Sequence, residues 1–209
     1  MKILFLLFSF LTVSTSTFAH PVIYKGGLVY QGHFTGESNL QKIGYTVTPK
    51  LALELNSSYY ELYSKNRDYT IGINYLFKRW LRDKSQGNLY GSLHAGFYHN
   101  EINRNLKSVF HAGLMADWES RKLYTAGKVM IKKYETETNY KFEYRFGFAP
   151  YVSGMDQLQT WLIGKLSYYE QISRNIEVTP MLRFFYKNVL WEMGSSFNGG
   201  MFLTIMVHY

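Results

Sequence analysis

The 209-residue sequence has no cysteine, only four prolines and no long hydrophobic run after its first residues. The absence of cysteine excludes disulfide scaffolds, cysteine-based zinc modules and thiol chemistry. No segment beyond residue 20 approaches the roughly 20 consecutive apolar residues that a membrane-spanning helix requires. A hydrophobic content of 46% and a charged content of 18% also do not match a disordered chain. Any part of this protein that crosses a membrane must therefore do so as β-strands.

The first nineteen residues have the composition of a signal peptide. Lys2 supplies the positive charge, residues 3–13 are almost entirely apolar, and residues 17–19 match the small-x-small pattern that signal peptidase cleaves. We therefore expect cleavage after this triplet, export from the cytoplasm and a single domain over residues 20–209. The net charge of +8 favours anionic contacts, but an exported protein is not expected to bind nucleic acid.

Beyond residue 20, apolar and polar residues alternate with the two-residue period of β-strands rather than the 3.6-residue period of helices. In segment 69–78, Tyr, Ile, Ile, Tyr and Phe occupy the odd positions, and Thr, Gly, Asn, Leu and Lys the even ones. Segment 142–148 repeats the pattern, with four aromatic residues on the face opposite Glu143 and Arg145. Each segment therefore has one apolar face and one that is mostly polar.

Turn-forming residues divide the chain into about twelve such segments. The predicted strands span residues 22–34, 37–47, 51–63, 69–79, 88–99, 106–118, 121–134, 140–152, 157–169, 174–186, 189–195 and 200–209. An even number of strands fits an all-β, antiparallel up-and-down barrel with both termini on one side. Twelve strands of about ten residues leave no room for a second domain.

The region 170–190 leaves the strand count open between twelve and ten. Pro180 cannot donate a ladder hydrogen bond, so it belongs at a strand end or a bulge. Between Tyr186 and Val189 the apolar positions switch from even to odd, which requires either a hairpin at residues 187–188 or a bulge. We adopt the hairpin, which gives twelve strands; without it the barrel has ten.

The alternation alone does not say which face is outside, because a secreted lipocalin-like barrel alternates too, with its apolar face inward. However, nearly all charged residues of the strand cores share one face, and the other face is rich in aliphatic and aromatic residues. A lipid-facing wall has this composition, because a Lys or Arg at the bilayer midplane costs about 2–4 kcal/mol. Tyr24, Trp80, Trp118 and Tyr168 near strand ends are typical of interfacial girdles. We therefore predict a transmembrane barrel with a charged lumen.

The final segment, residues 201–209, alternates up to the C-terminal aromatic residue Tyr209. In this feature the chain resembles the outer-membrane β-barrel proteins of Gram-negative bacteria, in which such a strand is recognised by the barrel-assembly machinery. The resemblance implies an outer-membrane location, contact with outer-membrane lipid and lipopolysaccharide, and an assembly signal at Tyr209. Residues 20–27 and 183–192 also resemble a group of uncharacterised proteobacterial outer-membrane proteins, which implies no activity. We expect a monomer.

The charged face contains the candidate solute path. Its predicted residues are Lys25, Lys42, Glu54, Lys78, Lys128, Lys132, Glu143, Arg145, Lys165, Arg183 and Glu192. Basic residues outnumber acidic ones, and a confined field of that sign favours anions. A symmetric hairpin centred between residues 137 and 138 would place Lys132 opposite Glu143, as an ion pair that fixes the register.

Three histidines are weak candidates for metal ligands. A symmetric hairpin about residues 102 and 103 places His94 directly opposite His111 on the lumen face. Two imidazoles at that spacing could bind a transition metal, but no third ligand is evident, so a hydrogen-bonded polar pair is the favoured interpretation. His20 would begin the mature chain, where its amine and imidazole could chelate Cu(II), although a plain strand start explains it equally. We predict no metal and no cofactor.

The catalytic patterns of known barrel enzymes are missing. Lipid-modifying hydrolases of this class place a His and a Ser two residues apart on one strand face, whereas Gly96 follows His94 and Gly113 follows His111 at that spacing. We predict no catalytic residue and favour a narrow porin-like channel for small anionic or polar solutes. Its predicted architecture is similar to that of the twelve-stranded channels for acidic oligosaccharides. A non-conducting structural or adhesive barrel and a lipid-modifying barrel enzyme are the alternatives.

Overall fold

The computed structural model describes residues 20–36, 38–60, 66–100, 106–135, 137–154, 156–170 and 173–209. The predicted signal peptide, residues 1–19, lies outside the described residues. None of the described residues belongs to a helix long and apolar enough to cross a membrane.

In the part of the chain that the structure describes, twelve strands form one closed antiparallel barrel. The strands are β1 (Leu28–Thr35), β2 (Ser38–Thr48), β3 (Leu51–Tyr60), β4 (Asn66–Arg82), β5 (Ser85–Asn100), β6 (Leu106–Ser120), β7 (Leu123–Tyr134), β8 (Thr138–Phe148), β9 (Gln159–Tyr169), β10 (Ser173–Tyr186), β11 (Val189–Ser195) and β12 (Met201–His208). Each strand pairs with its neighbours in the chain, and β1 closes the barrel on β12. The predicted twelve-stranded barrel is confirmed.

The two ends of the barrel have different connections. At the end where β1 starts and β12 stops, residues 49–50, 83–84, 121–122 and 187–188 form two-residue turns, and only the β8–β9 connection, residues 149–158, is longer. The connections at the opposite end span two to five residues. In barrels of this kind, the end with the termini and the shortest turns faces the periplasm, and the loops face the exterior. We use "turn end" and "loop end" for these two ends.

The strand faces are divided as the alternation predicted. On β4, Tyr69 and Ile71 have 50% and 62% of their surface exposed on the outer wall, whereas Thr70 and Asn74 are only 5% exposed on the lumen side. Large apolar side chains are exposed around the circumference, among them Ile43, Leu55, Leu93, Phe110, Leu114, Val129, Ile131, Phe142, Phe146, Leu162, Leu166, Val178, Leu182 and Leu203. The outer wall is therefore an apolar belt and the lumen is polar.

The tenth strand forms in spite of its proline. Pro180 lies inside β10, opposite Gly164 of β9, immediately before the first residue of β10 that pairs with β11, Met181. Pro180 is thus neither at a strand end nor at a bulge, contrary to the prediction; its missing N–H is tolerated because the β10–β11 ladder begins only at the next residue. The predicted hairpin at residues 187–188 is confirmed, with Lys187 in the left-handed region at φ 52°.

The first strand begins six residues later than predicted. Residues 20–27 do not join the sheet; they fold into the lumen at the turn end, where Val22 has no exposed surface. Gly26, at φ +83°, reverses the chain so that β1 can start at Leu28. We call residues 20–27 the inner segment.

Candidate functional site

Most of the predicted solute-path residues lie on the lumen face of the barrel wall. These are Lys42, Glu54, Lys128, Lys132, Glu143, Arg145, Lys165, Arg183 and Glu192. Each alternates with outward-facing residues on its strand, most of them apolar, so the two-residue period of the sheet directs it inward.

Two predicted residues lie elsewhere. Lys25 is exposed in the turn at residues 24–27 of the inner segment and is not part of the barrel wall. Lys78 follows a register shift between Leu76 and itself, which turns it to the outer face. Its Nζ lies 5.3 Å from the centre of the Trp80 ring, a contact suited to the membrane interface. Arg79 takes the lumen position instead, opposite Asn88.

One half of the central lumen is organised around Glu54. Lys42 Nζ lies 2.8 Å from one carboxylate oxygen, and His94 Nε2 lies 3.1 Å from the other. The His94 ring packs over Gly72, where a Cβ atom would fall 2.3 Å from His94 Cδ2. Glycine at this position therefore allows the imidazole to reach across β4 to a carboxylate on β3.

The other half of the central lumen is a chain of alternating charges. Arg145 Nε donates to Glu143 at 2.6 Å, and Arg145 Nη1 lies 3.1 Å from Glu192 Oε2. Arg183 Nε donates to the second oxygen of Glu192 at 2.7 Å and stacks on Tyr124, with Cζ 4.3 Å from the ring centre. These contacts join β8 to β11 and β10 to β7, so side chains from strands three positions apart meet inside the barrel. The lumen is therefore narrow at this level.

Two central lysines stand outside these ion pairs. Lys128 lies opposite Glu143 in the sheet, and Lys165 lies opposite Arg145. Among the described residues, neither lysine has a carboxylate within 4.0 Å. Lys165 Nζ instead lies 4.4 Å from the centre of the Phe202 ring. These two ammonium groups are therefore positive charges outside ion pairs that can attract a solute in the central lumen.

Nearer the loop end, Lys132 is not paired with Glu143 as predicted. The β7–β8 hairpin places Lys132 opposite Asn139 and Lys128 opposite Glu143, a shift of four residues from the predicted register. The shift arises because the hairpin turns earlier, with Tyr134 N donating to Glu137 O. Lys132 forms its ion pair with Asp68 on β4, and both side chains are almost fully buried.

Aromatic rings surround this Lys132–Asp68 pair. Lys132 Nζ lies 4.6 Å from the centre of the Tyr60 ring and 5.0 Å from that of Tyr134. Tyr134 in turn packs edge-on against Tyr98 at 4.7 Å. The rings exclude water from the pair and stabilise the ammonium group through their negative faces. This cluster closes part of the lumen toward the loop end.

At the turn end, the inner segment occupies the lumen. Val22 packs against Ala52, Leu76 and Tyr90, which face inward from β3, β4 and β5. The Val22 carbonyl lies 3.4 Å from Arg79 Nη2, and residues 26–27 exchange backbone hydrogen bonds with Thr46. The segment is thus held by apolar contacts with β3, β4 and β5 and by hydrogen bonds to β2 and β4.

His20 anchors the far end of the inner segment. Its Nε2 lies 3.1 Å from Glu119 Oε1, and its Nδ1 lies 3.4 Å from Asp117 Oδ2. Burial by itself would lower the pKa of His20, but the hydrogen bonds to Asp117 and Glu119 raise it from 6.5 to about 9. At neutral pH the imidazole is therefore protonated, and its two nitrogens face the two carboxylates.

His94 and His111 lie directly opposite each other on β5 and β6, as the hairpin symmetry predicted, with ring centres 6.4 Å apart. Within the described ranges, no group of three or more His, Cys, Asp or Glu residues could hold a metal ion. His94 is engaged with Glu54, which supports the interpretation of this pair as part of a polar lumen.

Tyr209 closes the seam of the barrel. Its N donates to Leu28 O at 2.8 Å, and its own carbonyl accepts from Leu28 N at 2.9 Å. Its side chain is 56% exposed beyond the last residue of β12. The residue is therefore accessible at the turn end, where its role as an assembly signal remains a prediction.

Sequence patterns missed the inner segment and the Lys132–Asp68 pair for different reasons. The irregular pattern of residues 20–27, with Gly26 and Gly27 at its end, was a signal against a strand there. No sequence signal identifies Asp68 as the partner of Lys132, because that contact depends on barrel closure and on the true register of two hairpins.

Comparison with known proteins supports the barrel fold but does not identify a function. No protein-family model matches the chain, and no curated protein is significantly similar to it in sequence. Two solved structures of the KdgM porin, one of them in complex with disordered oligogalacturonate, are similar with a TM-score of 0.54 and 11% identity. In both, the match covers 88% of this chain and 98% of the porin. OccK8 (OprE) of Pseudomonas aeruginosa matches with a TM-score of 0.41 and 10% identity, over 82% of this chain and 57% of its own.

Both the fold and the apolar outer wall indicate the location of the barrel. The closed twelve-stranded architecture is that of Gram-negative outer-membrane barrels, and the large apolar side chains exposed around its circumference are stabilised by contact with lipid. The chain is therefore an outer-membrane β-barrel.

Proposed function

We propose that the protein is a narrow outer-membrane channel for small anionic or polar solutes. The observation that carries this proposal is the presence of Lys128 and Lys165 in the central lumen with no carboxylate within 4.0 Å among the described residues. Lys42, Arg145 and Arg183 are already compensated by ion pairs, whereas Glu177, at the level of Lys128, accepts a hydrogen bond from Ser167 and has no ion pair among the described residues. A solute in the lumen therefore meets an excess of positive charge, and an anion or a polar group with acceptor oxygens is attracted to it.

Similarity to the KdgM porin supports a channel without defining its solute. That protein has been seen with oligogalacturonate, an acidic oligosaccharide. The sign of the charge excess in this lumen is compatible with a ligand of the same chemical class. The identity between the two chains is too low to transfer the ligand itself.

The constrictions at both ends of the lumen support a small solute. The inner segment narrows the turn end, and the Lys132–Asp68 pair with its tyrosines narrows the loop end. Only small or extended solutes can pass such a lumen without displacing these groups. We expect a conductance well below that of wide porins, whose lumen is open.

Single-channel recording in planar bilayers tests this proposal. Refolded wild-type protein should give small, discrete conductance steps. A His20→Gln variant, which loses the imidazolium anchor of the inner segment, should give larger steps, because the segment is then held more weakly. A Lys78→Gln variant serves as control, since Lys78 lies outside the lumen and its loss should leave the step size unchanged. The absence of steps from all three proteins would refute the channel.

A non-conducting structural barrel is the second candidate. The observation that favours it is the density of ion pairs across the lumen, with Asp68, Lys132 and Glu192 all at most 3% exposed. If this candidate is right, the folded protein stays silent in bilayers, including the His20→Gln variant. We propose no enzymatic activity.

A further inference from the structure

Lys141 on β8 is a lumen-facing cation that the sequence patterns did not identify. It lies two residues before Glu143, so the two-residue period of the strand directs it to the same face, one step nearer the loop end. Its Nζ lies 3.8 Å from Glu143 Oε2, a loose contact beside the 2.6 Å bond between Arg145 Nε and Glu143 Oε1. The Lys141 side chain is 32% exposed. Lys141 is therefore a weakly paired cation on the loop-end side of the central lumen.

Three lysines from neighbouring strands surround Glu143. Lys128 on β7 lies directly opposite it, Lys141 is the next lumen residue on β8, and Lys165 on β9 lies diagonally from it, opposite Arg145. In an antiparallel sheet, directly opposite side chains have Cβ atoms about 5 Å apart, and diagonal neighbours are about 7–8 Å apart. The long stems of the three lysines therefore allow their ammonium groups to meet around one small solute above Glu143. We call these three residues the lysine cluster.

The lysine cluster is available to a solute, whereas the arginines at the same level are not. All three lysines are partly exposed to the lumen. Among the described residues, Lys128 and Lys165 have no carboxylate within 4.0 Å, and Lys141 has only its loose contact with Glu143. Arg145 and Arg183, in contrast, already donate to Glu143 and Glu192.

The charge balance of this half of the lumen indicates the charge of its ligand. At the central level of β7 to β11, the described lumen residues include five basic side chains and three acidic ones, namely Lys128, Lys141, Arg145, Lys165 and Arg183 against Glu143, Glu177 and Glu192. Two positive charges therefore remain without compensation. A monoanion would neutralise half of this excess, and a dianion would neutralise all of it.

We propose that the lysine cluster binds a phosphate group, either free or as a monoester. This deepens the proposed channel function by naming its class of solute, and it rests on that function. A phosphate monoester carries close to two negative charges above its second pKa of about 6, which matches the excess. Its oxygens surround a single atom, so ammonium groups from three strands can each donate to a different oxygen. A carboxylate has one charge and two coplanar oxygens, and would leave part of the cluster unpaired.

Isothermal titration calorimetry of the folded protein in detergent at pH 8 tests this assignment. The probes are inorganic phosphate, glucose 6-phosphate, succinate and acetate. At least one of the two phosphates should bind wild-type protein about tenfold more tightly than succinate or acetate. Tighter binding of glucose 6-phosphate would assign the site to phosphate esters, and tighter binding of inorganic phosphate would assign it to the free ion; both support the proposal.

Lys141→Gln should weaken phosphate binding by about tenfold, because it removes a charge-assisted contact. Lys133→Gln is the matched control, since Lys133 is an exposed lysine on the outer face of the adjacent strand β7 and should not affect binding. If Lys141→Gln does not fold, Lys165→Gln provides the same test with the same expected loss.

Two results in calorimetry would overturn the phosphate site. Succinate or acetate that binds as tightly as both phosphates would show that a compact dianion is not recognised, and unchanged binding by the lysine variant would show that the cluster is not the site. Planar bilayers separate this proposal from the channel itself. Chloride currents that phosphate does not block, together with no binding in calorimetry, would leave the channel and refute the phosphate site. Phosphate binding by a protein that never conducts would refute the channel and support the site.

Discussion

Lys132 on β7 and Asp68 on β4 form an ion pair across two intervening strands, with their side chains 2% and 1% exposed. Two charges so well shielded from water depend on each other, because either one alone would be a buried charge without compensation. The pair therefore links two non-adjacent strands of the lumen wall and also makes the barrel sensitive to single substitutions there.

Lys132→Met should lower the free energy of unfolding by about 3–5 kcal/mol, because it leaves the Asp68 carboxylate buried and unpaired. The double variant Lys132→Met/Asp68→Leu should recover most of this loss, since no buried charge then remains. Urea unfolding in micelles, followed by tryptophan fluorescence, measures both. A single variant as stable as wild type would show that water reaches Asp68.

The His20 anchor predicts a specific dependence of stability on pH. The folded pKa of His20 is raised from 6.5 to about 9, so the protonated imidazole stabilises the folded state. This contribution should be complete below pH 6.5, decline between pH 6.5 and 9, and be lost above pH 9. The difference in unfolding free energy between wild type and His20→Gln, measured across this pH range, separates the contribution of His20 from those of other titrating groups. A difference that does not change with pH would contradict the anchor.

Neighbouring residues of β3 test the assignment of inside and outside. Leu55 is 54% exposed on the outer wall, and Asn56 is part-buried on the lumen side. Leu55→Lys should reduce folding into bilayers by about 2–4 kcal/mol, because it places a charge in hydrocarbon. Asn56→Lys, one residue away, should cost much less. Equal folding yields of the two variants in phospholipid vesicles would show that the faces are assigned incorrectly.

Tyr209 has two proposed roles, because its backbone closes the barrel seam and its aromatic ring is the predicted assembly signal. Two variants test these roles separately. Tyr209→Asp keeps the backbone hydrogen bonds to Leu28 and removes the aromatic ring, so it should refold in vesicles but fail to accumulate in the outer membrane of cells. Deletion of the residue also removes the hydrogen bonds and should impair both. Tyr209→Phe is the control, with wild-type behaviour in both assays. Normal accumulation of Tyr209→Asp would show that the ring is not an assembly signal.

The sequence was sufficient for the barrel and for its two faces, because alternation is a property of each strand alone and the charged residues distinguish the lumen side. The strand number stayed open between twelve and ten until the structure showed the hairpin at residues 187–188. The sequence was also sufficient to pair His94 with His111, since that hairpin is symmetric about its centre. The position of Lys78 could not be predicted, because a register shift at Leu76 changes the faces without any break in composition. The partner of Lys132 could not be predicted because it lies on a strand that is distant in the sequence.

Contacts between distant strands also decide which charges of the lumen are neutralised, and the sequence could not predict these contacts. Composition showed an excess of basic residues, but not which of them are neutralised. In the structure, Arg145 and Arg183 are held by Glu143 and Glu192, so removing either arginine would expose acidic groups as well as removing positive charge. Lys128 and Lys165 are therefore the better positions at which to test selectivity.

The reversal potential in a potassium chloride gradient tests the central claim most directly. Wild-type channels should prefer chloride over potassium at low salt, and the preference should weaken toward 1 M, where the Debye length falls to about 3 Å. Lys128→Gln/Lys165→Gln should shift the reversal potential toward that of a non-selective pore, whereas Lys78→Gln should leave it unchanged. Cation selectivity of the wild-type channel, or a selectivity that the double substitution does not change, would contradict the proposed anion path.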